Sequence, residues 1–264
     1  ADAGNYTLTS SNTTTTADIS TKAIAVSGIT AQNKTYDGNT SATVSGGILS
    51  GVINGDTVNL ASSGSFTDKN AGTGKTVNIS NTLSGTDANN YTLIVSSGGN
   101  TATADITAKG ITGTITASNK VYDGNTTATT NGSLSGLIAG DTVNLASSGT
   151  FTDKNAATGK TVNVVAGALS GTDANNYTLT STNTTTTADI TAKGITGTIT
   201  ADNKVYDGTK SATTNGALNG LIAGDTVILA SSGSFTDKNA ATGKTVNVVA
   251  GTLSGADAGN YTLT

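Results

Sequence analysis

Apolar residues in this chain alternate with polar ones over short stretches, each closed by glycine, asparagine or aspartate. Alternation with a period of two puts successive side chains on opposite faces of an extended backbone, the mark of half-buried strands. No window shows sustained i, i+3, i+4 recurrence, so little helix is expected. Ala104–Ile106 leads into an irregular strand over Ile111–Ala117 around Gly113. Lys120–Tyr122 then meets Asp123 and Gly124, which tolerate positive φ and predict a tight hairpin returning over Thr126–Thr130. Asn131 and Gly132 mark another turn, and Thr142–Ala146 predicts a strand with Val143 and Leu145 on one face. A turn at Ser147–Gly149 precedes a short strand around Phe151, and Asp153–Gly159 is a polar loop. Val162 and Val164 alternate in Lys160–Val165, Leu169 ends a short segment, and Asp173–Asn176 turns the chain. A closing strand starts at Tyr177–Thr180 and resumes over Thr185–Ile190. About eight short strands divided by turns are the pattern of a β-sandwich.

This pattern recurs. Tyr36, Tyr122 and Tyr206 each open a Tyr-Asp-Gly motif at spacings of 86 and 84 residues. Phe66, Phe151 and Phe235 recur at 85 and 84, and Tyr6, Tyr91, Tyr177 and Tyr261 at 85, 86 and 84. All 7 Tyr and 3 Phe belong to these three series, so each series marks one core position repeated in every unit. A period near 85 exceeds the ~20–45 residues of solenoid coils and suffices for a small domain. The predicted fold is all-β: a tandem array of small Ig-like β-sandwich modules, beads on a string. Residues 1–20 read as the closing strands of a preceding repeat, 21–106, 107–190 and 191–264 as three modules, the last lacking its final strand. Residues 1–9 and 256–264 share the sequence ADAGNYTLT, so the chain starts and stops at one phase of the repeat, as an excerpt of a longer array does.

Composition narrows the chemistry. The chain has no Cys, His, Trp, Met or Pro, its 13 basic residues are all Lys and its 17 acidic residues all Asp. Without His, Cys and Glu, most of the repertoire for acid–base catalysis, thiol nucleophiles and transition-metal ligation is missing, and a non-enzymatic protein is expected. The net charge of -4 is spread among interspersed Lys and Asp, with no basic stripe for nucleic acid. No apolar run approaches the ~20 residues that span a bilayer. Disulfides cannot contribute stability. Only 15 of the 84 residues in 106–189 are Leu, Ile, Val or Phe, so the core is expected to be thin. Abundant threonine, branched at Cβ, favours extended backbone. The Thr184–Thr187 join is read on that ground as a stiff strand between modules, not a flexible linker.

Five motifs occur in order in each unit, as at Asn119–Gly124, Gly140–Val143, Phe151–Asn155, Gly159–Val162 and Asp173–Leu179. Together they resemble the YDG-type repeat modules of large bacterial exoproteins, including filamentous-haemagglutinin-like adhesins. The resemblance covers essentially the whole chain. It implies an extracellular protein of the bacterial cell surface, its repeats lying away from a functional tip. Two-partner secretion is common in that setting. It carries over no catalytic, cofactor-binding or metal residues.

Each motif has a sharper reading beside a plainer one. Tyr36-Asp37-Gly38 and its copies offer an aromatic and a carboxylate to a ligand, but read more simply as a turn with its Tyr in the core. Asp68-Lys69-Asn70, Asp153-Lys154-Asn155 and Asp237-Lys238-Asn239, and Asp87 with Asn89 and Asn90, carry oxygens that suit calcium. They lack the D-x-D-x-D-G pattern with its closing Glu, and Asx-turns use the same residues, so no cofactor is assigned. Lys34, Lys120 and Lys204 suit an ion pair better than an isopeptide cross-link. The threonines of Thr112–Thr116 suit strand propensity better than an ice-binding face. The expected role is a structural stalk or spacer of an adhesin or biofilm filament. The alternative is weak multivalent binding of glycans or neighbouring chains by the repeats themselves. The expected partners are neighbouring repeats, other copies of the chain and cell-surface glycans. Burial of Tyr36, Tyr122 and Tyr206 separates these two readings.

Overall fold

The computed structural model describes residues 1–95 and 100–264, which form two compact units, Ala1–Lys109 and Gly110–Thr264. Strand dominates both. In the first unit the strands are β1 (Lys22–Ala31), β2 (Lys34–Thr35), β3 (Ser41–Ala42), β4 (Val44–Ser50), β5 (Asn59–Phe66), β6 (Gly72–Ser84), β7 (Tyr91–Val95) and β8 (Thr101–Thr107). The second repeat adds β9 (Lys109–Ala117), β10 (Lys120–Val121), β11 (Thr127–Ala128), β12 (Thr130–Ser135), β13 (Asn144–Phe151), β14 (Ala157–Ser170), β15 (Tyr177–Ser181) and β16 (Thr185–Thr191). The third contributes β17 (Lys193–Ala201), β18 (Ser211–Ala212), β19 (Thr214–Asn219), β20 (Ile228–Phe235), β21 (Val246–Ser254) and β22 (Tyr261–Leu263). The Asp173–Asn176 turn is a one-turn 3-10 helix over Ala174–Asn176, matched by Ala88–Asn90 and Ala258–Asn260.

The second repeat shows the plan. One sheet has the order β12-β9-β15 and the other β10-β16-β14-β13-β11. β10 pairs with β16 in parallel, and β9 lies beside β15 as β1, in parallel, lies beside β7 in the first unit. Between the sheets lie Ile111, Ile115, Tyr122, Leu145, Phe151, Val162, Val164 and Ile190, each at most 7% exposed. The core is one layer of side chains from two sheets, so close approach matters as much as bulk. A Cβ on Gly132 would stand 2.7 Å from the Leu145 carbonyl oxygen, and one on Gly149 2.6 Å from the Thr130 methyl.

Those glycines correct two predicted turns. Asn131–Gly132 lies inside β12 and Ser147–Gly149 inside β13, so the strand expected at Thr142–Ala146 and the one around Phe151 are a single strand. Glycine is there to let the sheets meet, not to reverse the chain. The predicted hairpin at Asp123–Gly124 is also corrected. β10 pairs with β16 and β11 with β13, at opposite edges of one sheet, so the motif begins a crossover. Gly124 does take positive φ, at 79°, as do Gly38 at 80° and Gly208 at 80°. The Thr-rich segment is strand, but it does not run between modules: Thr185–Thr187 open β16, which pairs with β14 of the same repeat.

From Phe66 to Tyr91 is 25 residues, but from Phe151 to Tyr177 and from Phe235 to Tyr261 is 26, and the extra residue has a local cause. In the first unit β5 and β6 pair without interruption from Asn59↔Ser84 to Phe66↔Val77. In the second and third repeats the register shifts, between Leu145 and Ser147 and between Leu229 and Ser231. There β14 advances three residues, Ala166 to Leu169, while β13 advances two, a β-bulge at Gly167. The extra residue leaves Val164 and Leu169 both facing inward despite their odd separation.

The three aromatic series are core positions where the sandwich is closed. Tyr36, Phe66 and Tyr91, and Tyr122, Phe151 and Tyr177, are all at most 7% exposed. In the third repeat Tyr261 is buried, Phe235 half-buried and Tyr206 60% exposed. Tyr6 is 81% exposed, and residues 10–20 form no strand.

Candidate functional site: the joint between repeats

Each Tyr-Asp-Gly turn is wound around a lysine. Lys120 Nζ donates to Asp123 Oδ1 at 2.7 Å, to the Asn125 carbonyl at 2.8 Å and to the Thr127 carbonyl at 3.1 Å. The Asp123 carboxylate also accepts the Asn125 amide, the Asx-turn expected from its sequence. The same ammonium lies 5.6 Å from the Phe151 ring centroid, and Lys34 over Phe66 and Lys204 over Phe235 repeat the distance. Lys34 and Lys204 pair likewise with Asp37 and Asp207, at 2.7 and 2.8 Å. These are the ion pairs expected of the three lysines. Hydrogen bonds from Lys204 and then from the Thr209 amide bring the Asp207 pKa down to about 2.

A second turn is built in the same way. Asp153 accepts the Asn155 amide and pairs with Lys160 at 2.7 Å; Asp68 and Asp237 pair with Lys75 and Lys244. The carboxylates weighed for calcium are therefore occupied by the Asx-turn and a lysine. Asp87, Asp173 and Asp257 spend an oxygen on the amides of Thr57, Thr142 and Thr226. No cluster of three or more acidic ligands occurs among the described residues. On β9, Thr114 and Thr116 stand across from Ser133 and Asn131 of β12.

The motifs converge where the second repeat meets the third. The side chain of Asp225, 3% exposed, receives the Tyr261 hydroxyl at 2.6 Å, the Tyr122 hydroxyl at 2.7 Å and Lys154 Nζ at 3.0 Å. Lys154 lies 5.8 Å from the Tyr122 ring centroid and also pairs with Asp257 at 3.5 Å. The Tyr122 and Tyr261 rings meet edge to face, centroids 5.4 Å apart. Beside them buried Asn260 accepts the Ala156 amide at 2.8 Å and donates to Asn155 at 3.2 Å. Tyr122, Lys154, Asn155 and Ala156 belong to the second repeat; Asp225, Asn260 and Tyr261 belong to the third.

Burial opposes ionisation of Asp225, but hydrogen bonds from Tyr261, Tyr122 and Lys154 outweigh it and hold the carboxyl below its usual range. Burial and then the Asp225 hydrogen bond push Tyr261 up to about 12, and the same two causes raise Tyr122. Asp225, then Tyr122, hold the Lys154 ammonium above the ordinary lysine range. The charges are thus locked as carboxylate, ammonium and two neutral phenols, an arrangement that binds and does no proton transfer near neutrality. Part of the joint is intrinsic to each module. Tyr91 and Tyr177 donate their hydroxyls to Asp56 and Asp141 within their own repeats, and accept the amides of Ile53 and Ile138.

The sequence singled out Tyr122, the Asp153–Asn155 turn and Tyr261, but not Asp225 as their meeting point. The available signal was that Gly-Asp-Thr-Val recurs in every unit.

The connection is equally short. β16 ends at Thr191 and β17 begins at Lys193, leaving Ala192 alone between a strand of one sandwich and a strand of the next. Repeated two-sheet modules joined by a packed hydrogen-bonded contact define a tandem β-repeat protein. The YDG domain family model matches the chain three times, at residues 20–104, 107–188 and 190–264, and the chain belongs to that family. No curated protein and no solved structure matches the chain significantly.

Proposed function

We propose that these repeats are the spacer of a secreted bacterial cell-surface adhesin or filament, a structural and non-enzymatic element that holds a binding tip away from the cell. The observation that carries this reading is the joint of the second and third repeats. One connecting residue and a nearly fully buried carboxylate shared by two tyrosines and a lysine restrict bending, and a spacer must resist bending to keep its reach. Tyr36 and Tyr122, each 2% exposed, are unavailable as platforms for sugar rings, which favours the spacer over glycan binding at these two positions, whereas Tyr206 is 60% exposed. Small-angle scattering on arrays of rising repeat number, starting from this chain, tests it. A spacer lengthens by an equal increment with each added repeat. Growth of the maximum dimension with the cube root of mass would mean that the repeats collapse on one another, and the proposal would fail.

A further inference from the structure

The chain enters and leaves the second repeat by strands that lie side by side. The entry is one extended run, β9 followed by β10, in which the Ser118 amide carries the ladder of β9 and β12 on to the Thr129 carbonyl at 2.9 Å. From Lys109 to Val121 this run covers about 40 Å at the ordinary rise of a strand. The exit is β16, and it points the same way: Lys120 and Val121 pair in parallel with Ile190 and Thr191. The chain therefore comes in at one end of the module and goes out at the other.

Entry and exit are bonded to each other directly. The Tyr122 amide donates to the Thr191 carbonyl at 2.8 Å, and the Thr191 hydroxyl to the Lys120 carbonyl at 3.3 Å. The Asp189 amide donates to Asn119 Oδ1 at 2.7 Å, and Asn119 Nδ2 to Asp189 Oδ2 at 3.3 Å. Further back, Asn183 accepts the Ile115 amide at 2.8 Å and donates to the Ile115 carbonyl at 2.9 Å. Ile115, Ala188 and Ile190, at most 5% exposed, back the contact, and β14 holds the other edge of β16. The first repeat is built the same way. Lys34 and Thr35 pair in parallel with Ile106 and Thr107, the Tyr36 amide donates to the Thr107 carbonyl, and the Asp105 amide donates to Asn33.

A pull along the chain drives the entry and exit strands past one another along their length. No bond between them then opens ahead of the rest: all share the load and fail together. Forced unfolding is governed by the unfolding rate, so a contact of this kind raises the barrier that matters. The strands from β11 to β15 lie outside the path and feel tension only after the contact has failed. We propose that the contact of the entry run with the exit strand is a tension clamp, through which the first and second repeats transmit axial force without opening their cores. The load is the one a spacer carries when its tip is bound, so the physiological side of the inference rests on that reading.

Single-molecule pulling tests the clamp. The chain has no Cys, so paired cysteines in the 264-residue protein are unique handles. Ala108→Cys with Ala192→Cys loads the second repeat along the path, whereas Thr158→Cys with Ala192→Cys peels β16 from β14 starting at Ile190. At equal loading rate the first geometry should need a several-fold higher force and give way in one step of about 250 Å. Asn183→Ala should lower the force in the first geometry and leave the second unchanged, and Asn119→Ala should lower the first as well. Equal forces in the two geometries overturn the inference, as does an axial force that neither substitution lowers. A fall that Asn183→Ala produces equally in both geometries also overturns it, being a general loss of stability. Pulling and scattering fail separately: weak repeats in an evenly lengthening array refute the clamp alone, and strong repeats in a collapsing array refute the spacer alone.

Discussion

Lysine does structural service in these repeats that its usual place on protein surfaces does not suggest. Lys120 has a side chain only 17% exposed, four acceptors around one turn and an aromatic ring beneath it. Lys120→Met keeps the stem and removes the donors, leaving the Asn125 and Thr127 carbonyls short of a partner; a loss of about 1–2 kcal/mol is expected in urea unfolding. Asp123→Asn keeps an oxygen for the Asn125 amide and for Lys120 and removes only the charge of a half-exposed ion-pair partner, so it should cost less than about 1 kcal/mol. Equal losses would mean that the ion pair, not the carbonyl cap, holds the turn. At the joint, Asp225→Ala deprives the buried Tyr122 and Tyr261 hydroxyls of their acceptor and should destabilise the second unit by at least about 2 kcal/mol. Asp225→Asn retains an acceptor and should fall between this variant and the parent.

At the scale of elements, glycine divides into two kinds that the sequence does not distinguish. Gly124 was legible because an Asp-Gly pair inside a polar run asks for positive φ. Gly132 and Gly149 were misread as turn formers because the need they meet, a neighbouring sheet within van der Waals reach, involves residues far along the chain. The same limit applies to the hairpin. Local chemistry specified a turn at Asp123–Gly124, but which strands pair beyond it depends on β16, almost seventy residues later. By contrast, the alternation in Lys160–Val165 and Thr185–Ile190 reported β14 and β16 directly, since each strand has one buried face. The aromatic periods located most of the core and two sides of the joint, whereas Asp225 was hidden because burial of a carboxylate is a tertiary event. Gly171 combines both kinds: φ is 115°, and an added Cβ would stand 2.4 Å from the Thr142 carbonyl oxygen. Gly171→Ala should cost about 2–3 kcal/mol in a denaturant melt. Deleting Gly167 converts the bulged pairing into the regular one of β5 with β6 and should be nearly neutral. Deleting Val164 instead would turn the strand's faces over and should unfold the repeat.

For the whole molecule, the joint predicts how stability responds to pH. The folded pKa of Asp225 is lowered, so its contribution is complete above the unfolded value of about 3.9 and drains away as pH falls through the folded value. Tyr261 acts at the other end. Its folded pKa of about 12 exceeds the unfolded value of about 10, so the folded state keeps a proton that the unfolded chain has lost, and stability declines as pH climbs between them. Urea midpoints should therefore fall on both flanks of a broad neutral plateau. The Asp225→Asn variant should show a shallower acid limb than the parent, and identical acid limbs would show that the carboxylate contributes nothing to the linkage.

The two halves of the joint also bear on how such a gene changes length. Every complete repeat encodes both a Tyr-and-Lys half, such as Tyr36 with Lys69 or Tyr122 with Lys154, and an Asp-Asn-Tyr half, such as Asp56 with Asn90 and Tyr91. A recombination that exchanges repeats at matching phase therefore deletes or duplicates a whole module and regenerates the same pair of faces at the new boundary. Bulges and loops tolerate a residue more or less, but the single-residue passage through Ala192 does not, so in-phase exchange is the one route that preserves the fold. Array length becomes a quantity that selection can adjust one repeat at a time, without a new interface having to evolve.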